Sequence, residues 1–401
     1  MNESICIHAE SETNLPELII KGNASLPIVQ GGMGVGISNW RLAGAVAGEG
    51  AIGTLSAIGH SITPAYKLLH KGALIEAKKQ YPNGVPKEVR QGIFYDTNLV
   101  CIREEIRKAR EISEGRGSLW INIMMATNDY ERQVITACES GIDAIVSGAG
   151  FPFALPEITK NYPNIALIPI LANARGVKVI VKKWAKYGKI PDAIVLEDPS
   201  RAGGHLGASG VTKIHDKETL LEISLPETLE FLQSEGLNIP IIVAGGIVDR
   251  ADMDRMFALG ASGVQIGTRF LATNESGASQ DFKESVIRAK ESDIREYISN
   301  AMLPARALND SGIFSVIEGR TAHTRECVEN CLTHCAFRDG VSALPNGETP
   351  AQMCILHALA HATEGNKSEA KNRALYFTGT SATRIRTIES VKDIIDGLVG
   401  R

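Results

Sequence analysis

No run of apolar residues in this chain approaches the roughly 18–20 needed to cross a bilayer. The opening MNESICIHAESETN is polar and acidic, so neither a secretory signal nor a transit peptide is expected there. A strong charge of either sign is also missing: 42 Lys and Arg stand against 46 Asp and Glu, for a net charge of −4. That balance gives no reason to expect nucleic-acid or membrane binding as the main activity. Internal repeats and low-complexity linkers are absent. What is left is an ordinary globular composition, 44% hydrophobic and 22% charged, with a cytoplasmic location as the expectation. The length of 401 residues suits one large α/β domain with an appendage, or two domains. Disulfides are not indicated. Cys6, Cys101 and Cys138 are scattered, but Cys327, Cys331, Cys335 and Cys354 fall within 28 positions.

The strongest signal present is a series of short apolar, β-branched runs ending in glycine or small residues. They cover 26–33, 50–57, 120–126, 144–150, 166–171, 193–199, 240–246 and 263–270. Near-continuous hydrophobicity over five to eight residues marks strands buried on both faces. Most are separated by amphipathic stretches of helical length, such as DYERQVITACESG and DRADMDRMFALGA. Eight alternations of strand and helix predict an α/β fold of the (β/α)8 TIM-barrel type, in preference to a doubly wound open sheet. Residues 58–119 hold extra material between the second and third strands. Residues 1–275 are read as the barrel and 276–370 as an inserted, mainly helical subdomain bearing the cysteine cluster. The chain then returns over 371–401, where TIESVKDIIDGL is expected to close the outer ring.

In such barrels the site lies at the C-terminal ends of the strands, with phosphate held after the seventh and eighth. Those strands end in AGG (244–246) and GTR (267–269), where glycine lets backbone amides approach an anion. The first strand ends in QGGMGVGISNW, which suits a flat ligand across the barrel mouth. FMN is the natural candidate. The loop after the sixth strand, SRAGGHLGAS, places His205 among small residues at the same face. Imidazole titrates near neutrality, as an acid/base group beside a hydride acceptor must. His60, His70 and His215 have no comparable setting and are assigned to surface or local packing.

QGGMGVGIS, NIMMA, SGAGFP, AGGHLG, AGGIVDR and ASGVQIGTRF together resemble the nitronate monooxygenase / flavin-dependent enoyl-acyl-carrier-protein reductase superfamily. The resemblance implies an FMN barrel in which His205 is the catalytic acid/base. It implies that Gly31, Gly32 and Met33 border the flavin, that Asn122 and Glu197 lie beneath or beside it, and that Gly245, Gly246, Gly267 and Thr268 hold its phosphate. Gly203 and Gly204, with Gly207, would let the imidazole approach flavin and substrate. Enoyl reductases of this group carry an acidic residue where Arg201 stands, so their NAD(P)H chemistry does not transfer directly.

RECVENCLTHCAFRDG reads C-x3-C-x3-C, with a fourth thiol in QMCILHAL. On one straight helix the outer Cα atoms would lie ~12 Å apart, so three ligands on one centre require the segment to wrap or break. Spacing leaves zinc and an iron–sulfur cluster open, and a mixed zinc site with His323, His334, His357 or His361 as well. The cysteines, with an LYFTGTSATRI-like return, are similar to one branch of the superfamily, the FMN and 4Fe-4S decanoyl-acyl-carrier-protein dehydrogenase/isomerases of bacterial unsaturated fatty-acid synthesis. That resemblance implies a 4Fe-4S cluster on Cys327, Cys331, Cys335 and Cys354. It also implies oxidation of a saturated medium-chain acyl thioester to a 2-enoyl, then cis-3-enoyl, product, with oxygen or another acceptor taking the electrons. Nitronate monooxygenase and NAD(P)H-dependent enoyl or quinone reductase are the alternatives. Acyl carrier protein is the expected partner, and basic side chains within 72–90 and 281–290 are candidates for docking it. A homodimer is expected from the commonness of such assemblies.

Overall fold

The computed structural model describes residues 15–319, 327–364 and 373–401. Cys6, His323 and the opening peptide lie outside them. Eight strands close into a parallel barrel: β1 (Ile28–Gln30), β2 (Ile52–Ser56), β3 (Ser118–Met124), β4 (Ala144–Gly148), β5 (Ala166–Leu171), β6 (Ile194–Glu197), β7 (Ile241–Ala244) and β8 (Gly263–Ile266). Each pairs with the next, and β8 pairs with β1 to complete the ring. Every run expected as a strand supplies one.

The two-faced burial of these runs follows from the closure. Val29, Trp120, Val146, Ile168, Val195 and Ile242 fill the barrel interior. Their neighbours Ile28, Ile121, Ile145, Leu167, Ile194 and Val243 point outward under the helices. A hairpin of Leu18–Ile20 and Asn23–Ser25 lays Leu18 and Ile20 against the interior cluster, so the N-terminal end of the barrel is sealed. The opposite end stays open for chemistry. Extra material between β2 and β3 forms helices Lys67–Gln80 and Lys87–Ser113. The closing helix Val391–Val399 begins at a reciprocal Ser390–Asp393 cap and packs against helices Trp40–Gly48 and Arg250–Ala258. Among the described residues no helix is long and apolar enough to cross a membrane.

The segment between β8 and that closing helix differs from its expected helical character. It contains helix Gln280–Arg288 and the short helices Phe314–Ile317, Ala336–Asp339 and Ile355–His361. It also contains β9 (Ile294–Ile298) and β10 (Pro304–Leu308), and β11 (Tyr376–Phe377) follows in the return. β10 pairs antiparallel with β9, with β11 and with the two-residue strand Gly204–His205 of the β6 loop. The insertion therefore shares a sheet with the barrel rather than hanging from it. PARAL hides its strand because Ala, Arg and Leu are good helix formers; its fully buried pattern comes from partners supplied elsewhere in the chain.

At Gly53 the barrel admits no side chain: a Cβ there would stand 1.9 Å from the carbonyl oxygen of Ala43. Gly53→Ala is expected to force helix Trp40–Gly48 off β2 and to destabilise the fold by about 2–3 kcal/mol or more. Chemical denaturation checks it, and an unchanged midpoint would mean that the helix shifts freely.

Candidate active site

The loops at the C-terminal ends of the strands enclose a cavity of about 810 Å³, within the range of sites that hold a cofactor or drug-sized ligand. Gly31, Gly32 and Met33 line it after β1, Asn122 on β3 and Glu197 at the end of β6. Gly203, Gly204 and His205 line it from the β6 loop. Gly245 and Gly246 follow β7, and Gly267 and Thr268 follow β8, at the same cavity. Of the four clustered cysteines, Cys331 reaches its wall. Positions up to 300 residues apart in sequence thus face one space.

Local chemistry shapes each wall. Buried Gln30 donates to Ser38 Oγ at 2.8 Å and accepts the Thr54 amide at 3.1 Å, and Ser38 Oγ accepts the Met33 amide at 2.9 Å. These bonds fix the β1 loop. A Cβ on Gly32 would lie 2.4 Å from the Cβ of Asn122, so the loop and β3 meet only because Gly32 is bare. Gln265, on β8, lines the cavity and keeps a buried Oε1 with no hydrogen-bond partner among the described residues. An unpaired buried acceptor is costly and fits a ligand that donates to it. Across from it, Thr268 Oγ1 accepts the Gly379 amide at 3.0 Å, which brings the return segment onto the expected phosphate corner. Bare backbone, a polar floor and the cavity size fit a phosphorylated planar cofactor.

His205 is held from the insertion. Its Nε2 lies 3.0 Å from Ser299 Oγ, just past β9, and its ring meets Phe377 of β11 edge-on at 5.3 Å. Ser299 Oγ also accepts the Ala301 amide at 3.2 Å, which orients the hydroxyl. Burial holds the imidazole at about 4, below its ordinary value, so the ring is neutral and able to accept a proton at pH 7. Burial, aided by neighbouring Asp198, pushes Glu197 up to about 7. Arg201, the departure noted in sequence, pairs with Glu222 at 2.9 Å and with Asp198 at 3.4 Å. Arg306 on β10 is fully buried; it donates to the Pro199 and Ala202 carbonyls and pairs with Glu296 at 2.5 Å. Sequence reading missed Ser299, Arg306 and Phe377, which carry no local signal. It could have found Gln265, a polar residue in the middle of an apolar strand.

Residues 327–335 form an irregular loop, so the chain does wrap. The loop is stitched to the barrel: Asn128 N donates to Cys331 O at 3.1 Å, Thr333 N to Ala126 O at 2.8 Å and Tyr95 Oη to Asn330 O at 2.7 Å. Cys354 stands at the N-terminal end of helix Ile355–His361, where its thiol makes no capping bond. The four thiols are near enough that each of Cys327, Cys335 and Cys354 adds to burial in raising the pKa of Cys331. Asn300, next to Ser299, donates to Cys335 Sγ at 3.2 Å. Four thiols in one small volume, with an amide donor to one sulfur, fit a soft metal centre. Among the described residues the donor set whose ligand atoms lie within 4.8 Å of one another is Glu329, Cys354 and His357, which shares only Cys354 with the cysteines. His334 is exposed and His361 pairs with Glu364 at 2.9 Å.

Residues 17–400 match the family model described as nitronate monooxygenase. A probable nitronate monooxygenase of Staphylococcus saprophyticus is 26% identical over 328 residues, 80% of this chain and 86% of that protein. A (3aS,4S,5R,7aS)-5-hydroxy-7a-methyl-1-oxo-octahydro-1H-indene-4-carboxyl-CoA dehydrogenase of Rhodococcus jostii is 25% identical over 252 residues, 59% of this chain and 64% of that one. Among solved structures, FabK from Thermotoga maritima superposes with a TM-score of 0.63 at 22% identity, over 93% of this chain and 91% of FabK; it shares the fold.

Nitrogen NMR of the His205 ring tests this geometry without a substrate. The ring is expected to stay neutral until pH falls to about 4, and one tautomer is expected to dominate. Ser299→Ala should mix the tautomers and Ser299→Thr should keep one, since the bond to one ring nitrogen selects the proton's place on the other. A midpoint near the ordinary ~6.5, or tautomers indifferent to Ser299→Ala, would contradict it.

Proposed function

Since the chain belongs to the nitronate monooxygenase family of oxidoreductases, we propose that it is an FMN-dependent acyl-thioester dehydrogenase that goes on to isomerise its product. The observation that carries this reading is the apolar extension of the cavity. Leu303, Leu332, Ile355, Leu356 and Leu359, all from the cysteine-bearing insertion, line it beyond the His205 region. A small nitroalkane has no use for such a wall; an alkyl chain does. The Rhodococcus relative, named as a dehydrogenase of an acyl-CoA, supports the same class.

In this reading Gly31, Gly32, Met33, Asn122 and Glu197 border the flavin, and Gly245, Gly246, Gly267 and Thr268 take its phosphate. Flavin bound there would accept the hydride released from the β-carbon and pass the electron pair to oxygen or another acceptor. His205, neutral and gripped by Ser299, removes the α-proton of the saturated thioester. The trans-2-enoyl product stays in a cavity walled by apolar side chains. Once the imidazolium has released the α-proton to solvent, the neutral ring can take a proton from the γ-carbon, leaving a dienolate, and return that proton to the α-carbon, which moves the double bond to the 3,4 position in the cis form. Gly203 is bare where a Cβ would stand 2.2 Å from the Thr378 carbonyl carbon, so its missing side chain admits the return segment beside the His205 loop rather than opening space for substrate. Cys327, Cys331, Cys335 and Cys354 hold a 4Fe-4S cluster that anchors the wall on which the alkyl chain lies. Acyl carrier protein delivers the substrate.

Titration of the flavin-loaded protein with a saturated medium-chain acyl carrier protein, anaerobically and without NAD(P)H, should bleach the oxidised flavin band. His205→Ala should abolish the bleaching. Bleaching only by NAD(P)H or by an alkyl nitronate would instead favour the reductase or monooxygenase reading.

Metal analysis gives an independent test. About four iron and four sulfide per chain are expected, with loss of both in Cys331→Ser. Zinc without sulfide, retained in Cys331→Ser and lost in His357→Ala, would place the metal on Glu329, Cys354 and His357.

A further inference from the structure

The helix that follows β5 carries a feature the reaction itself does not use. Between Arg175 and Lys189 the chain has six cations and no carboxylate, in a protein whose net charge is −4. Helix Ala174–Trp184 continues directly into the turn Ala185–Tyr187. Arg175, Lys178, Lys182 and Lys186 recur at i, i+3, i+7 and i+11, so they fall on one face and form a stripe roughly 16 Å long. All four are exposed, while Val177, Ile180 and Trp184 on the opposite face are buried.

Among the described residues no carboxylate comes within salt-bridge distance of any of the four; Lys178 lies over the Phe231 ring at 5.4 Å. The pairs Lys178–Lys182 and Lys182–Lys186 are like charges at i, i+4, which weaken a helix. All three lysines are solvent-exposed, so no buried contact requires a cation there. The stretches named from sequence are more mixed, with Lys78 and Lys87 exposed but other cations paired or buried. There Lys79 pairs with Glu76, Arg288 pairs with Glu284 and Asp310, and Lys283 is buried.

The stripe also starts in the right place. Arg175, in the first turn, lines the active-site cavity, and so does Phe151 on the neighbouring β4 loop. Phe151 and Phe153 stack with ring centroids 5.4 Å apart and are 41% and 37% exposed. Lys183 lies over the Phe153 ring at 5.6 Å. A cationic row that ends at an aromatic lip on the entrance matches a partner with an acidic helix face, which must hold its cargo over the opening.

We infer that the face of helix Ala174–Trp184 is the docking surface for an acidic carrier protein, which threads its acyl group past Phe151 on a phosphate-bearing arm. Arg175 meets the arm's phosphate, and Lys178, Lys182 and Lys186 meet the carrier's carboxylates. The inference rests on the acyl-thioester reading and adds where the carrier binds.

The test uses the flavin-loaded full chain and its triple variant K178E/K182E/K186E, titrated by calorimetry with a medium-chain acyl carrier protein. Affinity is expected to fall by about 10- to 100-fold and the steep salt dependence of binding to flatten. Oxidation of the same acyl group on a short neutral thioester should be unchanged in the variant. Equal carrier affinity in the two proteins would overturn the inference. So would equal loss on both substrates, or a stripe that binds anionic phospholipid vesicles while the carrier does not bind. If the carrier binds through the stripe but no acyl thioester bleaches the flavin, the proposed reaction falls and the docking surface stands. If the short thioester is oxidised and carrier binding ignores the variant, the reverse holds.

Discussion

A guanidinium with no exposure to solvent ties this molecule together. Arg306 sits at the middle of β10, far from water, where an unpaired charge would be prohibitive. Its partners come from two places: Glu296 on β9, and the carbonyls of Pro199 and Ala202 in the loop after β6. Only when the insertion has laid β10 beside that loop are all of them available at once. The same pairing sets Ala305 opposite His205 and Arg306 opposite Gly204. Satisfying one buried cation thus fixes the register of the strand that carries the histidine.

From that register the remaining contacts follow in order. β9 and the turn after it bring Ser299 to Nε2 of His205, and the next residue, Asn300, reaches Cys335. β11 places Phe377 against the imidazole, and Gly379 carries the chain to Thr268 at the end of β8. Histidine, cysteine loop and the Thr268 corner are consequently positioned by one small sheet. The barrel supplies the rim, and the insertion supplies the fixation.

Much of the barrel was legible in sequence because each strand is its own signal. A run such as ALIPIL is apolar on both faces whatever surrounds it, and its β5 bounds coincide with the run. The glycine-rich loops were legible for a related reason, since a bare backbone at a strand end is a local property. The insertion was not. PARAL gains its strand from β9, β11 and a two-residue piece of a distant loop, and IREYI is half exposed and strongly charged. Ser299 and Arg306 look like any surface serine and arginine until their partners, 94 and up to 107 residues away, are in place. The cysteine cluster fell between these cases. Its spacing left zinc and an iron–sulfur cluster both open, while the donors Glu329 and His357 beside Cys354 became visible only in three dimensions.

The cavity has walls of different descent. Its floor and rim come from the ends of barrel strands and include bare backbone such as Gly32, where a Cβ would stand 2.4 Å from that of Asn122. Its far wall, Ile355, Leu356 and Leu359, belongs to a short helix outside the barrel and is made of ordinary side chains. The two can drift at unequal rates. A changed side chain on that helix reshapes the cavity without altering a strand of the barrel, so the volume of the site and the strand ends that frame it are set by separate parts of the chain.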